Sequence, residues 1–305
     1  MPPPPLSAHH INVTPHRSVI PSHDGISTGV QEAGCRYKNG MTKQRAFSLV
    51  ELSIVLVILG LLTGGILTGQ SLIRSAEMRK ITLAHERYRM AIFTFRDKYF
   101  ALPSDMPNAT RFWGAKTATS CTNNPGVPVN AADGTCDGNG DGFVYNDGNG
   151  EFKRVFEQLS LAGLVEGTYR HSVVPPLNET QALGVEFPAI GVGKAGARFS
   201  YIGVVNGVNM HPSSLHGNTG NFLRIGAPSP YSTGLVEGIV KPEEAYNIDM
   251  KIDDGRPGTG AFLAHYDASD PDVLTTRCVN NFNSPNAVYN LTFTNNGCTL
   301  WFRIN

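Results

Sequence analysis

Asp137-Gly138-Asn139-Gly140-Asp141-Gly142-Phe143 carries oxygen side chains at positions 1, 3 and 5 and glycine at 6. That is the first half of an EF-hand-type calcium loop, with the Phe143 carbonyl at position 7. Gly148 stands where such a loop has a bidentate Glu at position 12, and Glu151 follows three residues later. Flexible oxygen ligands suit Ca2+ rather than a transition metal. Asp137, Asn139, Asp141, Phe143 and Glu151 therefore form a candidate calcium set. A turn-rich Asx/Gly loop uses the same residues without an ion, and Asp147-Gly148-Asn149-Gly150 nearly repeats the pattern.

Other polar groupings point to less. Asp253-Asp254-Gly255, with Asp249 and Lys251 upstream, could bind a cation or form a hydrogen-bonded turn. Gly191-Val192-Gly193-Lys194-Ala195-Gly196 matches the dinucleotide pattern G-x-G-x-x-G. A strand-like segment follows it where that motif needs a helix. His211 and His216 lack acidic or Cys partners nearby, and Ser213 and Ser214 lack a G-x-S-x-G elbow. No catalytic constellation emerges, so the expectation is a non-enzymatic protein.

The elements that position these residues begin with an apolar run. Leu52 to Ile73 reads LSIVLVILGLLTGGILTGQSLI, without a charge. About 20 apolar residues span a bilayer as a helix. Lys43 and Arg45 precede it, as expected of a cytoplasmic flank. Glu51 stands at its edge, and an acid there is costly unless paired. Beyond it, Ile73, Ala76, Lys80, Ala84, Tyr88, Ala91, Phe95 and Tyr99 recur at helical steps. Pro103 ends the run, so one helix is expected over 47–102, roughly 80 Å long. The segment 102–114 reads as loop. EFKRVFEQLSLAGLVEGTY reads as a helix closing near Gly163. Strands are expected at 197–205, 221–226, 261–266, 287–293 and 299–304, with one or two helical turns in 242–252. Helix first and strands after give an α+β class with an antiparallel sheet and Gly/Asn-rich loops.

Here a resemblance becomes specific. Lys43-Gln44-Arg45-Ala46-Phe47-Ser48-Leu49-Val50-Glu51-Leu52 resembles the type IV prepilin cleavage and methylation motif. The resemblance implies cleavage between Ala46 and Phe47 by a prepilin peptidase and N-methylation of Phe47. Glu51 becomes the fifth mature residue. Ala46 stands where the family usually has Gly. It further implies that the Phe47 amine of one subunit pairs with Glu51 of its neighbour in an apolar filament core. Segments LPSDMPNATRFWG, DGNGDG, NIDMKIDDG and CTLWFRI look like those of large prepilin-type proteins. The implied protein is a pilin-like minor pilin or pseudopilin of a type IV pilus or type II secretion-like filament. Its long helix packs on a β-sheet head. Its partners would be the peptidase, other pilin or pseudopilin subunits, the inner-membrane assembly platform and membrane lipid. Its place would be the bacterial inner membrane, head in the periplasm, and then the filament. The organisation expected is a leader at 1–46, the transmembrane and assembly helix at 47–102 and the head at 103–305. Translation is expected to start at Met41, which leaves the leader MTKQRA and makes 1–40 a start-site artefact; the alternative is a genuine long leader. The alternative is a membrane-tethered periplasmic enzyme or ligand-binding domain that uses the same leader.

Cysteine usage fits an exported head. Removal of the leader takes Cys35 and leaves Cys121, Cys136, Cys278 and Cys298, an even number. Three connectivities are open. Proximity across Gly/Asn-rich loops favours Cys121–Cys136 and Cys278–Cys298, and the second pair resembles the disulfide loop near pilin C-termini. Zinc is not expected, for want of a C-x-x-C pair. Over all 305 residues, 25 Lys and Arg balance 25 Asp and Glu, which argues against nucleic acid as a partner. Residues 1–46 hold five of the basic and two of the acidic residues, so the processed chain is mildly acidic at −3.

Overall fold

In the computed structural model the described residues are 47–116, 134–145, 151–170, 183–205, 208–209, 219–228, 235, 237–265, 276–281, 284 and 286–304. By contacts the chain divides into residues 1–57 and 58–305. The first unit contributes the beginning of the helix α1, Leu49–Tyr99. The second contains the rest of α1, the short α2 (Thr110–Trp113), α3 (Glu151–Leu161) and α4 (Pro242–Ile252). Its strands are β1 (Gly196–Ile202), β2 (Val204–Val205), β3 (Val208–Asn209), β4 (Gly220–Gly226), β5 (Phe262–His265) and β6 (Thr299–Arg303).

The apolar half of α1 is exposed, from Leu49 at 88% to Ile73 at 64%. The second half buries one stripe: Ile81, His85, Tyr88, Ala91, Ile92 and Phe95. This corrects the expected face near its start, where Ile73, Ala76 and Lys80 are exposed. The stripe begins at Ile81, and the next buried position is His85, whose ring stacks on Phe302 at 4.2 Å. Between the apolar run and this stripe the helix is partly covered: Arg74, Glu77 and Met78 are half-buried, while Ser75, Ala76, Arg79 and Lys80 are exposed. The helix stops at Tyr99, short of Leu102. Phe100 adopts a left-handed φ of 55°, costly for a bulky residue, while its N–H still bonds the Arg96 carbonyl at 2.8 Å.

Four antiparallel strands form a sheet in the order β1-β4-β6-β5. Register places Ala197 beside Ile225 and Leu300, and Phe199 beside Leu223, Phe302 and Phe262. These side chains share the main core with Ile92 and Phe95 of α1 and Phe156 of α3. Each fully buried side chain of this size contributes about 1.5–3 kcal/mol by leaving water. The opposite face is also buried and gathers Ile202, Phe222, Leu263 and Trp301. There the Arg224 guanidinium lies 4.5 Å over the Trp301 ring. β2 and β3 form a separate antiparallel pair.

Two other expectations need correction. AVYNLTF (287–293) is not a strand; it makes one bridge, Val279 to Tyr289, and then turns. Thr292 Oγ1 donates to Asn290 Oδ1 at 2.5 Å, and Asn290 Nδ2 to the Thr276 carbonyl at 2.7 Å. Such local side-chain bonds compete with a ladder. Segment 242–252 is three helical turns rather than one or two. Pro242 suits the first turn, and Glu244 Oε2 accepts the Lys241 N–H at 2.8 Å.

Candidate functional site

At the start of α1 the residues form a capping box. Ser48 Oγ accepts the Val50 N–H at 3.3 Å, and Glu51 Oε2 accepts the Ser48 N–H at 3.4 Å. The pattern S-x-x-E satisfies two of the amides a helix start leaves open. Phe47 is 82% exposed and Glu51 is also exposed. Ala46 lies outside the described residues. Helix α1 is long and apolar enough to cross a membrane, with no part of its apolar window buried. A 22-residue apolar surface in water is strongly unfavourable, so this segment requires lipid or the apolar surfaces of other chains.

α1 joins the head through Arg74, the first residue after the apolar run. Its Nε donates to Glu244 Oε1 at 2.6 Å and its Nη2 to Glu244 Oε2 at 2.5 Å. Nη1 bonds Glu77 at 2.8 Å, and Nη2 also reaches Asn296 Oδ1 at 3.2 Å. Burial pushes the Glu244 carboxyl up, but the Arg74 bonds and the Lys241 N–H outweigh it and hold the group below its ordinary value. Sequence reading missed this clamp, since Arg74 and Glu244 are 170 residues apart.

The 137–143 loop is organised by a residue that sequence reading missed, Asp105. It is 3% exposed, and its two oxygens accept the Asp141 and Gly142 amides at 3.0 Å each. Burial pushes its carboxyl above the usual range, with the Asp141 charge adding to the shift and the amides opposing it. Among the expected calcium ligands, Asp137 accepts from Thr110 N at 2.8 Å and Thr110 Oγ1 at 3.0 Å. Asp141 Oδ1 accepts the Phe143 N–H at 2.9 Å, while Asn139 Nδ2 donates to Asp141 Oδ2 at 2.8 Å. Glu151 is buried, and its Oε2 accepts the Tyr145 N–H at 3.3 Å. The loop is thus an Asx-rich turn whose oxygens face amides. A Cβ at Gly138 would fall 2.4 Å from the Ser104 carbonyl oxygen, so only glycine fits that approach.

The second acidic cluster is assembled: Asp249, Asp253 and Asp254 offer oxygens within 4.8 Å of one another. They serve the turn between α4 and β5. Asp253 Oδ2 accepts the Ala261 and Phe262 amides, and Asp254 Oδ2 accepts Thr259 Oγ1 at 2.8 Å. Asp249 is fully buried and accepts Tyr289 Oη at 2.7 Å and the Gly255 N–H at 3.1 Å. Burial pushes its carboxyl up to about 6, the neighbouring aspartates adding to the shift.

Cys278 and Cys298 form a disulfide, as expected, tying the 276–281 segment to the start of β6. Cys136 is also disulfide-bonded. Its expected partner Cys121 lies outside the described residues, as do His211, Ser213, Ser214 and His216.

Residues 41–67 match the family model described as the prokaryotic N-terminal methylation motif. No curated protein and no solved structure matches the chain. That motif implies processing by a prepilin peptidase and assembly with other pilin subunits. The motif, the long apolar N-terminal helix and the α+β arrangement behind it are together consistent with a type IV pilin-like protein.

Proposed function

We propose that the protein is a structural subunit, a minor pilin or pseudopilin of a type IV pilus or type II secretion-like filament. Prepilin peptidase cuts between Ala46 and Phe47, and the subunit waits in the inner membrane with its head in the periplasm. An assembly platform then transfers α1 from lipid to the apolar helices of neighbouring subunits. The observation that carries this reading is the exposed apolar surface of Leu49–Ile73, most of which lies within the methylation motif at 41–67. Its head of about 200 residues suits a minor or tip position rather than the shaft.

Glu51 has two separable roles in this reading. It caps its own helix, and its carboxylate pairs with the Phe47 amine of an adjacent subunit. Breaking a buried pair of that kind costs about 3–5 kcal/mol. Gln at this position keeps the capping box and removes the charge. Glu51→Gln and Glu51→Ala should both leave cleavage intact, read by N-terminal sequencing, and both should be depleted from sheared filaments. Normal incorporation of Glu51→Gln would sink the charge-pairing role.

A further inference from the structure

The second half of α1 carries a buried ionisable group for which filament assembly has no use. His85 is 6% exposed, on the face that α1 turns to the sheet, and lies beyond Ile73, outside the apolar run. Ile81 and Tyr88 are buried on either side of it along the helix. Its ring stacks on Phe302 of β6, with centroids 4.2 Å apart and planes 15° from parallel. Phe302 in turn meets Phe262 of β5 edge-on at 5.0 Å, so the stack joins α1 to the aromatic core of the sheet.

Such a place suits an uncharged imidazole. Nδ1 makes no hydrogen bond among the described residues, so a proton added there has no acceptor inside the seam. The charges that bear on the ring are those of Glu86 and Arg89, both on α1, while β6 presents the Phe302 ring. Glu86 Oε1 stands 3.5 Å from Nδ1, and its side chain is 53% exposed. Arg89 is drawn to the other oxygen, Oε2, at 3.8 Å, which leaves Oε1 to His85. Burial pushes His85 below its ordinary value; the Glu86 charge opposes that shift and the Arg89 charge adds to it. Tyr88, pushed up to about 12 by burial, stays uncharged in the range where His85 titrates. The imidazole thus has two places. Uncharged, it lies on Phe302. Charged, it is better served turned outward, where water and the Glu86 carboxylate surround it. The second place lifts the ring off β6 and uncovers Phe302.

We propose that His85 is an acid-sensitive latch between α1 and the head: uncharged it holds α1 to β6, and protonation swings it to Glu86 and loosens the seam. The latch belongs to the fold and stands apart from the filament reading. Its direction follows from linkage. The folded value is lowered, so the stabilisation is full above the unfolded value of about 6.5 and is lost as pH falls from there through the folded one.

The test follows amide hydrogen exchange of the full chain in maltoside micelles from about pH 7.5 to about pH 5.5, each rate divided by its intrinsic rate. Protection over 81–92 and 299–303 should fall at least about threefold, while 242–252 keeps its protection because Asp249 titrates in the opposite sense. His85→Phe keeps a ring on Phe302 and takes no proton, so its protection should not change over this range. Glu86→Gln alters an exposed position, leaves the fold in place and removes the outward partner, so the loss should move to lower pH. Wild-type protection that does not fall, a fall that persists in His85→Phe, or a transition unmoved in Glu86→Gln would each overturn the latch. A fall spread equally over 242–252 would overturn it as general acid unfolding. His265 is buried on the other face of β6, stacked on Trp301 at 5.1 Å. A fall that His265→Phe abolishes and His85→Phe does not would also refute the proposal.

Discussion

Truncating Arg74 should loosen the junction between α1 and α4. The guanidinium grips both Glu244 oxygens, at 2.6 and 2.5 Å, with side chains 30% and 18% exposed. Exposed ion pairs contribute about 0.2–1 kcal/mol, and removing one partner of a buried pair costs about 3–5. A half-covered, two-pronged pair falls between, so Arg74→Ala should cost about 2 kcal/mol. For a head of this size that lowers the melting temperature by about 4–8 °C. Thermal unfolding of the full chain in maltoside micelles, followed by near-UV circular dichroism, measures it. The cycle of Arg74→Ala, Glu244→Gln and the double variant should give a coupling of about 1 kcal/mol or more. Acid supplies an independent check. The Glu244 carboxyl lies below its ordinary value in the folded protein, so its contribution is present above the unfolded value. It is lost as pH falls through the lowered folded value, and Arg74→Ala should flatten that loss. Additive single variants, or an unchanged acid dependence in Arg74→Ala, would refute the clamp.

Other expectations follow from the head. Cys278→Ser with Cys298→Ser removes a bridge of sequence separation 20 and should cost about 3 kcal/mol, read by urea unfolding. Asp249 works in the opposite sense to Glu244. Its folded value is raised to about 6, so its contribution falls as pH rises from about 4 to about 6, by at most about 3 kcal/mol. Asp249→Asn should remove that slope while keeping the acceptor for Tyr289 Oη; an unchanged slope would reject the assignment. If calcium binds the 137–143 loop, calorimetry on the full chain gives a binding heat that Asp141→Ala abolishes. No heat in either protein ends the calcium reading.

What the residues disclosed depended on the range of the interaction. The apolar run, the helical spacing to Tyr99 and Pro103 are local signals, and α1 follows them almost to the end. Four of five strand segments also held, because β-branched and aromatic residues between Gly and Asn clusters leave few alternatives. The capping box Ser48-x-x-Glu51 was readable too, although Glu51 drew attention only for its charge. The buried stripe was misplaced at its start because His85 reads as polar, and only its stacking on Phe302 shows it to be core. Asp105 had no local signal: it sits among prolines as an ordinary loop acid. Its role exists only because the 137–143 amides fold back on it. The same holds for Arg74 and Glu244.

Arg74 marks where two demands on one helix change over. In the membrane-anchored reading the side chains from Leu52 to Ile73 face a surrounding without water, since their large apolar groups are exposed. From Ile81 one stripe must fit a fixed sheet while the rest stays wet. Between them the helix needs residues that tolerate neither demand fully. A guanidinium beside Glu77 and Glu244 meets that condition, since its charge is neutralised without deep burial. An apolar residue at 74 would extend the lipid-compatible surface and strand the Glu244 carboxylate. A lone cation there would satisfy water but not hold α4. In the same reading the clamp sets how far the helix can sink before the head stops it. Moving the Arg–Glu77 pair one turn later should increase the length of α1 shielded by lipid by about 5 Å. Depth-dependent quenching of a label placed on exposed Ser75 would measure that shift, and unchanged depth would show that the head does not set the stop.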